Sequence, residues 1–172
     1  MRDKIVYKGG FIMETKARYY KCALQVNSYE YAKYRGHKIE DEDAYNSAIV
    51  KHCKKNNISV VGLADHGAVD SSESLRRCLS DAGIVVFPGF EIATAEKIHI
   101  VCLFPSEYDT SKLNRILGGL GLSSAEKGTD VSKETCLTIA KCLKENGGFW
   151  YAAHITGDNG ILKIGKNQHI WK

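Results

Sequence analysis

Three apolar segments of this chain each end in a side chain of a type that commonly binds metal ions. The first ends in Asp65 and His66, the second in Glu91 and the third in His154. A fourth apolar segment carries His99 near its start instead. Buried strands of α/β proteins deliver their terminal residues to the carboxyl edge of a sheet, where the chemistry is usually located. The five residues therefore form a candidate metal cluster.

The types of these residues indicate which metals and which reaction to expect. Zinc, manganese and iron bind imidazole and carboxylate groups, and a catalytic zinc site commonly uses three protein ligands and a water. Glu91, His99 and His154 make a set of two histidines and one carboxylate of that kind. A metal held in this way lowers the pKa of bound water and polarises a phosphoryl oxygen, so the pattern favours metal-assisted hydrolysis.

Each residue also has a purely structural interpretation. His99 could be a hydrogen-bonded histidine of the core, Glu91 could cap a turn, His154 could belong to a surface loop, and Asp65 could cap the turn that follows it. His37 is interpreted as a surface residue in a loop that could reach a site. The metal hypothesis therefore depends on the co-occurrence of four segments, each with a metal-type side chain.

Composition is that of an ordinary globular domain. The 172 residues are 44% hydrophobic and 26% charged, and the formal charge of +4 permits a phosphorylated ligand without arguing for a nucleic-acid binder. Six cysteines form no CxxC pair, which favours small buried thiols in a reducing compartment. The sequence shows neither a signal-type segment nor an apolar run long enough to span a membrane, so we expect a cytoplasmic protein.

Hydrophobic periodicity predicts a polar leader over 1–18 and one domain over 19–172. Helices are predicted at 41–56, 70–81, 111–117 and 132–146, and the second begins with a capping box of Asp70 and Glu73, while Ser132 caps the last. Strands are predicted at 19–26, 58–63, 84–87, 97–104 and 149–153. Strands that alternate with helices are typical of a mostly parallel α/β layer or barrel.

Four segments, in order, resemble the signatures of one family. The segment 64–67 resembles a Thr-Asp-His motif, 88–92 a Pro-Gly-x-Glu-Ile motif, 98–101 a His-Ile-x-Gly strand, and Ala153-His154 an Ala-His-Pro motif. These motifs are those of the PHP (polymerase and histidinol phosphatase) superfamily of metal-dependent phosphoesterases, and the resemblance covers about 19–156. It looks closest to the PHP-like domains at the N-terminus of ATPases with SMC- or RecF-like heads.

The resemblance implies a distorted β/α barrel of seven strands with up to three divalent metals (Zn, Mn or Fe) at the strand ends. It also implies hydrolysis of a phosphate ester, such as a nucleotide, a nucleic-acid end or a small phosphate, by a metal-bound hydroxide. Asp65 and His66 would complete the site or orient water and phosphate. An SMC- or RecF-like ATPase domain in the same gene is the implied partner.

Two departures from the family pattern limit this expectation. The first-strand His-x-His pair is replaced by Gln25-Val26-Asn27, and amide oxygens are weaker ligands for these metals. The final Asp-x-His motif does not occur before Lys172, so the barrel looks incomplete at its C-terminus. The resemblance then implies at most one well-formed metal site, of Glu91, His99 and His154, with His66 left over from a third site and Gln25 and Asn27 as weak ligands.

The departures keep two other functions open. One is a catalytically weak or inactive PHP-like module that senses a ligand or regulates an attached ATPase. The other is an interaction scaffold, because a fold by itself does not determine function.

Overall fold

The computed structural model describes residues 4–6, 12–14, 19–122, 131–158 and 160–163, with the first two segments described as backbone. The predicted leader contains a hairpin of two antiparallel strands, β1 (Lys4–Val6) and β2 (Ile12–Glu14). The other strands are β3 (Lys21–Val26), β4 (Ile58–Leu63), β5 (Asp65–His66), β6 (Val85–Phe87), β7 (Gly89–Ala93), β8 (His99–Leu103) and β9 (Phe149–Ala152). The helices are α1 (Tyr29–Tyr34), α2 (Glu42–Lys55), α3 (Glu73–Asp81), α4 (Thr110–Gly119) and α5 (Cys136–Glu145).

The first sheet is parallel and has three strands in the order β3-β4-β6. Helices α2 and α3 cover its outer face, because each presents an apolar stripe to strands β4 and β6. Their shared hydrophobic core contains Cys53, Val61, Leu63, Leu75, Leu79, Ile84 and Val86.

The second sheet has four strands in the order β5-β7-β8-β9. Strands β5 and β7 are parallel, whereas β7, β8 and β9 run antiparallel to their neighbours. Alternate residues of β7 and β8 pack on helices α4 and α5, in a core that includes Phe90, Ile92, Ile100, Cys102, Leu113, Leu117, Ile139 and Leu143. The remaining residues of β7 and β8 therefore point to the opposite face, towards the first sheet.

The two sheets meet through a small apolar cluster that contains Ala64, Val101, Leu103 and Ala153. Gly62 allows the close approach, because a Cβ atom there would lie 2.5 Å from the carbonyl oxygen of Leu24 and 2.6 Å from a methyl of Leu103. The Tyr151 hydroxyl donates a hydrogen bond of 2.9 Å to the Leu24 carbonyl, so a polar contact also joins β9 to β3. The layers thus follow one another as helices, sheet, sheet, helices.

The α/β class agrees with the sequence analysis, but the expected mostly parallel order holds only in the first sheet. The seven strands of the two sheets do not close into a barrel within the described ranges, so the barrel stays a prediction. Glu91 lies in the middle of its own strand rather than at a turn, because Pro88 separates β6 from β7.

Two predicted helix starts are wrong. The Asp70 and Glu73 capping box does not form, since a 3-10 turn (Asp70–Ser72) precedes α3 without a side-chain cap. Helix α5 begins after Thr135, whose hydroxyl accepts from the Thr138 amide. Ser132 instead donates its hydroxyl to the Leu120 carbonyl.

All six cysteines lie in the described part of the chain and are free thiols. Cys53 and Cys102 are buried, as the sequence predicts, while Cys22 is exposed. Across the described residues, none of the helices is both long and apolar enough to cross a membrane.

Candidate metal centre

The β7–β8 hairpin positions two of the predicted ligands. Glu91 pairs with Val101 across the hairpin, and His99 lies two positions before Val101 in β8, diagonal to Glu91 on the same inner face. Because β8 is antiparallel to β7, its first residue lies at the edge where β7 ends. This explains why His99 stands at the start of its apolar segment rather than at the end.

The short strand β5 brings His66 beside Glu91. The two residues are direct partners in the parallel pairing of β5 and β7, and the Gly67 amide donates to the Glu91 carbonyl at 2.8 Å. The rings of His66 and His99 are 4.8 Å apart between centroids. Ligand atoms of His66, Glu91 and His99 all lie within 4.8 Å of one another.

His154 reaches the same point from the end of β9. Its backbone has a φ of 32°, an unusual value for a residue other than glycine. The following loop holds this conformation, since the Gly157 amide donates to the His154 carbonyl at 2.7 Å. Gly160 packs so closely that a Cβ atom there would lie 2.2 Å from the same carbonyl oxygen.

Three donor atoms converge at short distances. Oε1 of Glu91 is 2.6 Å from Nδ1 of His99 and 3.1 Å from Nε2 of His154, and the two nitrogens are 3.2 Å apart. Zinc–nitrogen and zinc–oxygen bonds of about 2.0–2.1 Å in a tetrahedron place neighbouring donors roughly 3.3–3.4 Å apart. Two edges of the observed triangle, 3.1 and 3.2 Å, are close to this spacing. The third edge, 2.6 Å, is a hydrogen bond between Glu91 and His99 that a bound four-coordinate metal would replace.

Glu91 is nearly fully buried but is held ionised. Burial would raise its pKa, but the hydrogen bond from His99 and the favourable electrostatic influence of the neighbouring imidazoles outweigh burial and lower it. The carboxylate is therefore the negative group of the site, and it is in the form that binds a cation.

His66 is held in the neutral form. Burial lowers its pKa most, the Glu91 carboxylate opposes this, and the charges of His99, His154 and Arg35 lower it further. Its Nδ1 atom is buried and has no hydrogen-bond partner among the residues described. Neutral imidazole is the form that binds metal, so this unpartnered nitrogen is a second observation that fits a cation.

Gln25 and Asn27, the predicted weak ligands, act as hydrogen-bond donors. Nε2 of Gln25 donates to Oε2 of Glu91 at 2.6 Å. Nδ2 of Asn27 donates to the Ala64 carbonyl at 2.9 Å and to Asp65 at 3.3 Å. The two positions where the resemblance predicted a histidine pair are thus occupied by amides that orient neighbouring groups.

Asp65 is buried next to the site and is not among the residues that line the cavity. Its Oδ1 accepts the Ser28 amide at 2.8 Å, and its Oδ2 accepts the Ser71 hydroxyl at 2.6 Å. Both oxygens are therefore engaged in holding the ends of β3 and of the 3-10 turn. This placement favours the capping alternative for Asp65, and its catalytic role stays a prediction.

The four metal-type residues form one end of a cavity of about 840 Å³. The rest of its wall comes from the end of β3, the segment after it, helix α2, the β7–β8 turn and Val131, and it includes Tyr31, Tyr34, Arg35, His37, Tyr45 and Lys97. The sequence analysis suggested that His37 could reach a site, but it missed the other five residues. Helix α1 is short and was not predicted, although Ser28, whose hydroxyl accepts the Tyr31 amide, is a recognisable cap.

Comparisons with known proteins give little beyond this geometry. The sequence matches no family model and no curated protein. Among solved structures, a candidate metal-dependent phosphoesterase from Bifidobacterium adolescentis aligns with 81% of this chain and 68% of its own, at 12% identity and a TM-score of 0.46. A structural likeness this weak does not establish an activity, so the function is inferred from the site itself.

Proposed function

We propose that the chain binds one divalent transition metal through Glu91, His99 and His154, with His66 as a fourth ligand or as the group that faces the substrate. The convergence of a carboxylate oxygen and two imidazole nitrogens within 3.2 Å carries this proposal. The unpartnered Nδ1 of His66 supports it.

The activity that this site supports best is hydrolysis of a phosphate ester. A divalent metal in such a site lowers the pKa of water and polarises a phosphoryl oxygen. Glu91 supplies the negative charge, and Gln25 holds its second oxygen. The buried His66 is neutral, so its unpartnered Nδ1 is available to bind the metal or to form a hydrogen bond with the substrate. The PHP resemblance of the motifs points to the same reaction class.

Metal analysis tests the binding step directly. Protein purified without chelators should hold about one transition metal per chain, and His99→Ala and His154→Ala should each reduce the metal content strongly. His52→Ala, a change at an exposed histidine of α2, is the matched control. If wild-type protein neither retains nor takes up Zn²⁺, Mn²⁺ or Fe²⁺, the proposed metal site is wrong.

Turnover of p-nitrophenyl phosphate by the Mn²⁺-loaded protein tests the reaction. Activity that disappears in His154→Ala and persists in His52→Ala supports hydrolysis at this site. Activity that is equal in both variants indicates a contaminant.

The second candidate is a catalytically weak sensing or regulatory module. The amides of Gln25 and Asn27 favour it, because a site with two metal ions needs ligands where these residues donate hydrogen bonds. Metal binding without measurable turnover on mono- or diesters would support this candidate. The attached SMC- or RecF-like ATPase stays a prediction from the resemblance.

A further inference from the structure

The cavity beyond the metal-type residues carries more positive charge than the candidate metal centre uses. Among the described residues that line it, Glu91 is the only carboxylate, whereas Arg35 and Lys97 are cationic and His37 adds an imidazole. Glu91 already contacts His99 and His154. Within the described ranges, neither Arg35 nor Lys97 has an ion-pair partner.

Arg35 lies close enough to the metal-type residues for its charge to act on them. Burial raises the pKa of Tyr31, the Glu91 carboxylate raises it further, and the Arg35 guanidinium opposes both. The same guanidinium is one of the charges that lower the pKa of His66, after burial. Tyr31 and Arg35 line the same cavity as Glu91 and His66, so the guanidinium charge acts on both Tyr31 and His66.

Lys97 is held at the rim by a strained turn. Its φ is 64°, a left-handed value that favours glycine or asparagine, yet a lysine occupies the position. The turn is tight, because the Lys97 amide donates to the Thr94 carbonyl at 2.7 Å. Only Ile98 separates Lys97 from the predicted ligand His99, so the turn places the lysine backbone beside the candidate metal centre.

We propose that Arg35, His37 and Lys97 form a second anion-binding subsite, and that the preferred ligand is a small organic phosphate with a second anionic group. This inference rests on the proposed function for the position of the first phosphate. The second group, a phosphate or a carboxylate, replaces the missing ion-pair partners at the rim. Selection by charge of this kind adds to the metal contact and is weakened by salt.

Binding measurements can test the subsite without any turnover. Calorimetric titration compares butane-1,4-diol bisphosphate with butyl phosphate, on metal-free and on Mn²⁺-loaded protein. Wild type should bind the bisphosphate about tenfold more tightly than the monophosphate, with a smaller ratio at high ionic strength. A third probe, 4-phosphooxybutanoate, shows whether a carboxylate serves as the second anion.

The variants are chosen to preserve the backbone. Lys97→Asn keeps a residue that tolerates a left-handed φ and removes the charge, while Lys97→Arg keeps the charge. Arg35→Gln and Lys97→Asn should each reduce the ratio of bisphosphate to monophosphate affinity about threefold, and together they should abolish the preference. Lys97→Arg should retain it. Lys54→Gln and Lys141→Gln, at exposed lysines outside this cavity, should leave it unchanged.

The two proposals fail in distinguishable ways. A preference for the bisphosphate that survives in Arg35→Gln/Lys97→Asn, or equal binding of the two probes by wild type, overturns the subsite even if p-nitrophenyl phosphate is hydrolysed. A preference lost only in the rim variants establishes the subsite even if no ester is turned over. Cooperative thermal unfolding of each variant shows that it has folded.

Discussion

Gln25 and Glu91 form a hydrogen bond of 2.6 Å from Nε2 to Oε2, while Oε1 of the same carboxylate faces His99 and His154. One oxygen is thus fixed by the amide, and the other faces the two imidazoles of the proposed metal site. Removal of a group that orients a metal ligand in this way typically lowers metal affinity about 10–100-fold.

Gln25→Ala should therefore weaken metal binding about tenfold without removing the site. The physical reason is that Glu91 regains rotational freedom and loses one hydrogen bond. Competitive titration with a chromophoric chelator measures the change. The control is Asn114→Ala, which removes a hydrogen bond of 2.8 Å from the Asn114 amide to Asp70, outside this cavity. An unchanged affinity in Gln25→Ala would show that the hydrogen bond has no positioning role.

Gly160→Ala should affect His154 more than it affects the fold. The added methyl group would have to displace the His154 and Ile155 carbonyls, from which it would lie 2.2 and 2.4 Å away. We expect metal affinity to fall about tenfold or more, as it does when an outer-shell contact is lost. Gly118→Ala, where a Cβ atom meets nothing within 4 Å, should leave affinity unchanged. Equal affinities in the two variants would contradict the proposed role of this loop.

Metal-free protein should lose stability as the pH falls below about 6.5, partly because of His66. Burial lowers the folded-state pKa of this imidazole, so the unfolded chain binds its proton first. The contribution of neutral His66 to the free energy of unfolding is complete above its pKa in the unfolded chain. It is lost as the pH falls towards its lower pKa in the folded protein. Urea unfolding of His66→Phe between pH 7 and 5 should show a smaller pH dependence than wild type and than the surface control His52→Phe. An identical dependence in all three proteins would refute the shift.

Tyr151→Phe should reduce stability by about 1 kcal/mol, the usual net value of a hydrogen bond, because the bond to Leu24 is lost. Burial mainly, with the Glu91 charge, raises the pKa of Tyr151 to about 12. Because the pKa is raised, the neutral phenol contributes to stability below pH 10, and this stabilisation is lost as the pH rises towards 12. Spectrophotometric titration of wild type minus Tyr151→Phe should show this late phenol. A phenol that titrates near its ordinary value would contradict the buried contact.

The elements that sequence analysis located well are those with strong local signals. Strand β4 was predicted with its observed bounds, since a mostly apolar run is bounded by Asn57 and by the acid Asp65. Helix α2 begins at its predicted cap, where the Asp41 carboxylate accepts the Ala44 amide at 2.7 Å. In both cases nearby residues determine the outcome.

The errors come from partners that are distant in sequence. Asp70 does not cap α3 because its carboxylate accepts Asn114, 44 residues away. Glu73 does not close a capping box either, and its carboxylate accepts a hydrogen bond from the Thr110 hydroxyl, 37 residues away. The rim residues Arg35 and Lys97 were missed for the same reason, since only the packing of the two sheets brings their loops to one cavity.

The β7–β8 hairpin also has a consequence for the order in which the metal centre assembles. Glu91 and His99 are separated by eight residues, whereas His154 is 55 residues from His99. Loop-closure entropy rises with the length of chain enclosed. A nascent hairpin can thus offer a bidentate chelate early in folding, and an ion captured there would guide the later arrival of the remaining imidazoles.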